Sequence, residues 1–213
     1  MELHEAIESN GTCRYYRPEP VPLPVLRRAL EAARSAPSGG NRQPVRFVVV
    51  TDLALRRRLA ELYLPLWQTY VGAMTKGALR VDALPRIIQD ADHFANHLAD
   101  VPTLVVVCAR LADCHATDQN LGRLSVVGGA SIYPAVQNFL LACRAEGLGT
   151  ALTTLLCSEE PKVKALLGIP EEISTAATIA VGYPGKPFPT RLRRRPLEES
   201  AFANHYGEPI AGG

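Results

Sequence analysis

Long apolar runs are missing from this chain. A continuous stretch such as Thr103–Ala109 falls far short of the ~20 residues a membrane span needs. Charge of one sign is missing too: 23 Lys+Arg stand against 21 Asp+Glu, a net +2, which gives no general field to hold nucleic acid or an anionic membrane. The five cysteines, Cys13, Cys108, Cys114, Cys143 and Cys157, are an odd set without a CxxC pair. Reduced thiols in a cytoplasmic protein explain that set better than a disulfide frame. The opening MELHEAIE has acids where a secretory signal has a basic region and an apolar run. No GxSxG and no P-loop occur, and Gly147 and Gly149 form a GxG without the third glycine of a dinucleotide fingerprint. Internal repeats, low-complexity tracts and linkers are absent.

What is present is ordinary for a globular chain, 47% hydrophobic and 21% charged over 213 residues, so one domain spanning 1–213 with its own core is expected. Apolar periodicity predicts helices at Leu3–Glu8, from Leu23 or Pro24 through Ser35, at Leu53–Tyr63, Gly128–Glu146 and Pro161–Leu167. β-Branched runs predict strands at Arg46–Thr51, Thr103–Ala109 and Ala176–Gly182. Leu148–Leu156 is apolar and threonine-rich and reads as a return, strand or loop. The stretch 64–100 reads as helical with a mobile connection, broken at Pro65 and Pro85. Helices outnumber strands that are far apart in sequence, which favours α+β, a small sheet covered by helices. The Gly128–Glu146 helix is apolar nearly all round, and a second apolar face in a small domain points to a homodimer.

Two histidines, His93 and His97, share a helix face with Asp90 and Asp92. That is half a metal site or a solvated face, and the lack of a third ligand at a recognised spacing favours the solvated face. Cys114-His115 beside Asp113 and Asp118 suggests thiolate chemistry but lies in a polar connection. Two segments suit an anion: Asn10-Gly11-Thr12-Cys13-Arg14, which offers backbone N–H groups, a hydroxyl and a guanidinium, and the cluster Arg191, Arg193, Arg194 and Arg195. The cluster alone reads equally as a solvated tail. The glycines of Ala36–Asn41 let a ligand approach the backbone closely.

The segment Ala32-Ala33-Arg34-Ser35-Ala36-Pro37-Ser38-Gly39-Gly40-Asn41-Arg42-Gln43-Pro44, running into Arg46–Val50, resembles the hallmark of the nitroreductase-like FMN oxidoreductases. The likeness continues through Ala135–Ala142 with Gln137 and Asn138, Gly147-Leu148-Gly149, Ala180–Pro184 and Arg193–Leu197. It implies an intertwined α+β homodimer with FMN at the subunit interface. Asn10, Thr12 and Arg14 would hold the ribityl phosphate with Arg193 and Arg195. Pro37, Ser38, Gly39 and Asn41 would come from the partner, and Leu152, Thr153 and Thr154 would lie along the flavin. Gln137 and Asn138 are read as buried structural amides. The stretch 64–100 would form a substrate lid in which Tyr63, Trp67, Tyr70 and His93 set substrate choice, and 200–213 a tail docked on the partner. Lys76 and Arg80 are candidates for a cation near the flavin pyrimidine.

Relatives usually carry one or two arginines where Asn10 and Gly11 stand, a departure that weakens phosphate binding unless the tail compensates. The activity implied is ping-pong hydride transfer from NAD(P)H to nitroaromatic, quinone or similar small acceptors, with the flavin rather than a catalytic side chain carrying the chemistry. The alternatives are a non-catalytic FMN-binding or storage protein, a cofactor-free interaction module, and a same-fold dehydrogenase or dehalogenase.

Overall fold

The computed structural model describes residues 1–75 and 84–210. Four strands, β1 (Val45–Val50), β2 (Thr103–Arg110), β3 (Gly149–Thr153) and β4 (Ile173–Gly182), form one antiparallel sheet in the order β1-β2-β4-β3. Among the described residues six α-helices flank it: α1 (Leu3–Ser9), α2 (Leu23–Arg34), α3 (Leu53–Thr75), α4 (Arg86–Asn96), α5 (Tyr133–Ala145) and α6 (Glu160–Leu167). The architecture is α+β, and the return after Gly147 is a strand. No described helix is long and apolar enough to cross a membrane.

β2 explains the arrangement. Its residues Thr103–Ala109 are all buried, so both faces of the strand need cover. Val105, Val107 and Ala109 join Ile179 and Val181 of β4 under α2 and α5, where Leu26, Ala29, Ala33, Phe139 and Cys143 close the layer. Leu104, Val106 and Cys108 face the opposite way, under α3, α4 and α6. Val107 pairs with Ala177 and Cys108 with Thr175, so Ala176 is an extra residue that bulges β4.

α3 runs past the expected end at Tyr63. Leu59, Tyr63, Trp67 and Val71, four apart, are all buried, and this stripe carries the helix through Pro65, which lies on the exposed side. α5 starts later than its apolar content suggests. Residues 128–132 are turns, and the helix begins at Tyr133 with a proline in its first turn. Gly147, at φ 78°, lies just beyond its end in the left-handed conformation.

Candidate functional site

After α1 the chain runs along the outer edge of β3. Thr12 pairs in parallel with Thr150, and the Cys13 N–H donates to the Thr150 carbonyl at 2.8 Å. Gly149 is required here, because a Cβ on it would lie 2.6 Å from both Cβ and Sγ of Cys13. The GxG at 147–149 therefore has a packing role. Burial raises the Cys13 thiol above its ordinary value, so it stays protonated. Arg14 makes no hydrogen bond or ion pair among the described residues, and its guanidinium lines two small cavities, of about 160 and 220 Å³. Its charge reaches Asp90 on one side and Tyr63 on the other.

The C-terminal segment crosses directly over this loop. The Leu192 N–H donates to the Glu8 carbonyl at 2.9 Å, and a Cβ on Gly11 would lie 2.8 Å from Pro189 Cγ. A groove of about 440 Å³ results, in which Asn10, Gln137, Arg191 and Arg194 converge. Arg193 and Arg195 do not line it, and Arg195 sits 3.7 Å from Glu199 at the surface. The tail arginines beside Asn10 are thus Arg191 and Arg194. Gln137 is exposed in this groove rather than buried, whereas half-buried Asn138 donates to the Ala32 carbonyl at 3.3 Å. Two guanidiniums and two carboxamides in one groove, outnumbering the single acid Glu8 on its wall, suit an anion with several acceptor oxygens.

The end of β3 and the turn after it adjoin the same loop. Leu152 is 39% exposed. The Thr153 hydroxyl donates to Tyr63 Oη at 3.4 Å and accepts the Leu155 N–H at 3.3 Å. Burial raises the Tyr63 phenol, an effect opposed by Thr153 and Arg14. Thr154 opens onto a separate cavity of about 430 Å³ with Gly128, Tyr133 and Cys157.

Pro37 and Ser38 line a cleft of about 420 Å³ between α2, the start of β1 and the start of α5, floored by Ala33, Phe47 and Ala135. Its rim loop is wound tightly: Gly40, Asn41 and Gln43 have φ of 58°, 53° and 49°. Left-handed non-glycine residues cost about 1–3 kcal/mol each and mark functional loops. The Gln43 N–H donates to Ser38 Oγ at 2.9 Å and the Gly39 N–H to Ser131 Oγ at 3.1 Å, which fixes the loop on the approach to α5. Gly39 and Asn41 stand exposed beside the cleft. None of Asn10, Thr12, Arg14, Thr153 or Thr154 lines it, so one chain does not bring the two sets of candidates together.

The acid- and histidine-rich face of α4 is partly solvated, with His97 exposed and Asp90, Asp92 and His93 half-buried. Among the described residues no group of three His, Cys, Asp or Glu is placed to hold a metal. Instead Asp90 accepts from Tyr15 Oη at 2.6 Å, Asp92 accepts from Trp67 Nε1 at 2.8 Å, and His93 stacks on Tyr15. Tyr63 and Trp67 belong to the core, while Tyr70 is 49% exposed. Lys76 and Arg80 lie outside the described residues. Asp118 accepts from Ser125 Oγ, the Val126 N–H and Arg123, and the Ser125 bond leads in holding its carboxyl down at about 2. It organises the loop before α5, while burial keeps the nearby Cys114 thiol protonated. Tyr15 and Lys186, which with Asp90 close the small cavity over Arg14, had no signal in the sequence beyond their types.

Comparison with known proteins accounts for this layout. The chain is 32% identical over 209 residues to a protein of Thermus thermophilus named NADH dehydrogenase, covering 93% of this chain and 94% of that protein. It is 26% identical to rat iodotyrosine deiodinase 1, over 93% of this chain and 68% of the relative. A crystal structure of oxidized iodotyrosine deiodinase bound to FMN and 3-iodo-L-tyrosine superposes with a TM-score of 0.65 at 25% identity, covering 91% of this chain and 96% of that one. A model of the nitroreductase family matches residues 7–183, from α1 through the end of the sheet, and the chain belongs to that family.

Proposed function

We propose that the chain is an FMN-dependent oxidoreductase that takes hydride from NAD(P)H and passes reducing equivalents to a small electron-poor acceptor, such as a nitroaromatic or quinone. The observation that carries this reading is the convergence of Arg191, Arg194 and Asn10 in one groove, next to the β3 return and an Arg14 unpaired among the described residues, in a chain 25% identical to a structure that binds FMN. These residues fit the cofactor. The groove suits a phosphate, Thr12 and Arg14 suit the polar parts between phosphate and ring, and Leu152 and Thr153 offer a partly exposed strand end, whereas Thr154 opens onto the separate cavity. FMN supplies two-electron acceptance and release at its ring. The protein orients it, neutralises charge and excludes water, and no side-chain acid or base is needed.

The cleft holding Pro37 and Ser38 shares no residue with the groove, so the reading requires a homodimer in which Pro37, Ser38, Gly39 and Asn41 of the partner subunit close the site. Half-buried Leu140 and Leu141 and exposed Tyr133 on α5 suit the interface. The deiodinase relatives favour one second reading, reductive dehalogenation of a phenolic substrate at the same site. An anaerobic absorbance titration tests the proposal. A flavin spectrum that bleaches with NADPH or NADH and returns with a quinone supports it. Return only with an iodophenol supports the second reading, and a protein that neither carries nor takes up FMN overturns both.

A further inference from the structure

On the side of α4 that faces the N-terminal segment, four groups stand in a column. Lys186 Nζ lies 3.1 Å from the Tyr15 ring centroid, Tyr15 stacks on His93 at 4.2 Å and 19°, and His93 stacks on His97 at 4.1 Å and 25°. Tyr15 Oη donates to Asp90, one turn back on α4. His97 Nδ1 lies 2.8 Å from the His93 carbonyl, which makes Nδ1 the protonated nitrogen of the neutral ring. Behind the column is the 220 Å³ cavity, where His93 and His97 share the wall with Arg14, Tyr16, Phe94 and Asp100.

The charges around His93 decide what a proton there would meet. From its own helix come Asp90, Arg86 and His97, from the N-terminal segment Arg14, Tyr15 and Tyr16, from the loop after β4 Lys186, and from the turn before β2 Asp100. Asp90 is already engaged by Tyr15 Oη at 2.6 Å, Arg86 at 3.1 Å and Lys186 at 3.9 Å. Asp100 is shared with Arg56. Arg14 has no ion pair among the described residues. A charged His93 would therefore sit between a ring already holding Lys186 and a second imidazole, with no acid to itself. Burial, then His97 and Lys186, hold its pKa below the ordinary histidine value.

We infer that the Lys186–Tyr15–His93–His97 column is an acid-released latch: it docks α4 on the N-terminal segment while His93 is neutral, and a proton on His93 frees the helix and opens the cavity over Arg14. The sign follows from linkage. The docked state favours the neutral ring, so docking is complete above the ordinary histidine value of about 6.5 and is lost as pH falls through the lowered one. The latch does not depend on the bound cofactor or the reaction proposed above.

The chain contains its own reporter. Its single tryptophan, Trp67, donates to Asp92 on α4, so one indole N–H signal reads the position of that helix. The test is an NMR titration of the ¹⁵N-labelled full-length protein, following the Trp67 indole, the His93 C2–H and the β2 amides together. The expected result is one indole step in the histidine range that coincides with the His93 titration and leaves the β2 amides dispersed. His93→Phe, which keeps an aromatic ring in the column, abolishes the step. Lys186→Met, which removes the repelling cation, raises its midpoint. An indole step that survives His93→Phe, a midpoint unmoved by Lys186→Met, or an indole that moves only as the β2 amides collapse overturns the inference.

Discussion

Gly11 offers the sharpest perturbation, because the family resemblance and the structure disagree on what an arginine there would do. By resemblance, Gly11→Arg restores a missing phosphate ligand. In the structure, even the Cβ of that side chain would lie 2.8 Å from Pro189 Cγ and 3.4 Å from Leu192 Cδ2, and a proline ring cannot swing aside like the end of a flexible chain. The tail must lift, and with it the Leu192–Glu8 hydrogen bond that sets Arg191 and Arg194 beside Asn10. Overpacking of this kind costs about 1–3 kcal/mol. At roughly 2–4 °C per kcal/mol for a chain of this size, Tm falls by about 2–12 °C. Asn10→Arg adds a cation to the same groove without that clash, and one charge-assisted bond of about 1.5–3 kcal/mol tightens FMN by roughly ten- to a hundredfold. Titration of apoprotein with FMN, followed by flavin fluorescence, together with melting curves, gives both readouts. The expected order of affinity is Asn10→Arg, wild type, then Gly11→Ala and Gly11→Arg. A Gly11→Arg protein that melts like wild type and binds FMN as tightly as Asn10→Arg would refute the account of the tail.

Further outcomes follow from single contacts. Phe139 is fully buried between α5 and the sheet, 5.9 Å from the Phe47 ring, so Phe139→Ala should cost about 3–5 kcal/mol, seen as a lower urea midpoint at unchanged slope. Arg191→Ala and Arg194→Ala should each weaken FMN about tenfold or more and flatten the salt dependence of binding, whereas Arg195→Ala, already paired with Glu199, should leave both nearly unchanged. Asp118→Asn should lower Tm at neutral pH. The Asp118 carboxyl is depressed from 3.8 to about 2, so its contribution is present above 3.8 and lost as pH falls through about 2; the gap between variant and wild type should therefore close on acidification.

Much of the sheet was legible in residue types. β2 is a run of β-branched and small apolar residues bounded by Pro102 and Arg110, and its burial on both faces is what such a run encodes. α3 was legible only in part, because Pro65 is a strong local stop signal, while the stripe through Trp67 and Val71 wins by packing against α4. The start of α5 was misread for the opposite reason: Gly128–Ile132 is apolar enough for a helix, but its backbone follows the turns set by Asp118 and the Ser125 hydroxyl. At the candidate site, Asn10, Thr12, Arg14 and the loop at Pro37–Asn41 could be named from motif order. The choice among four tail arginines could not, since it depends on one backbone hydrogen bond from Leu192 to a residue near the other end of the chain. The histidine pair was read as a surface feature because its partners, Tyr15 and Lys186, come from distant segments.

The strand order has a consequence for synthesis on the ribosome. β1 and β2 can pair soon after both have emerged, but the other side of β2 belongs to β4, which arrives only after α5, β3 and α6 have been made. Until then the run Leu104–Ala109 presents an open, apolar strand edge to other nascent chains. Pairings that close across so much intervening chain form late and slowly. Variants that slow β4 docking, such as a charged residue at Ile179, should therefore reduce soluble yield through aggregation during synthesis, and co-expression of a chaperone that shields exposed strands should recover that yield.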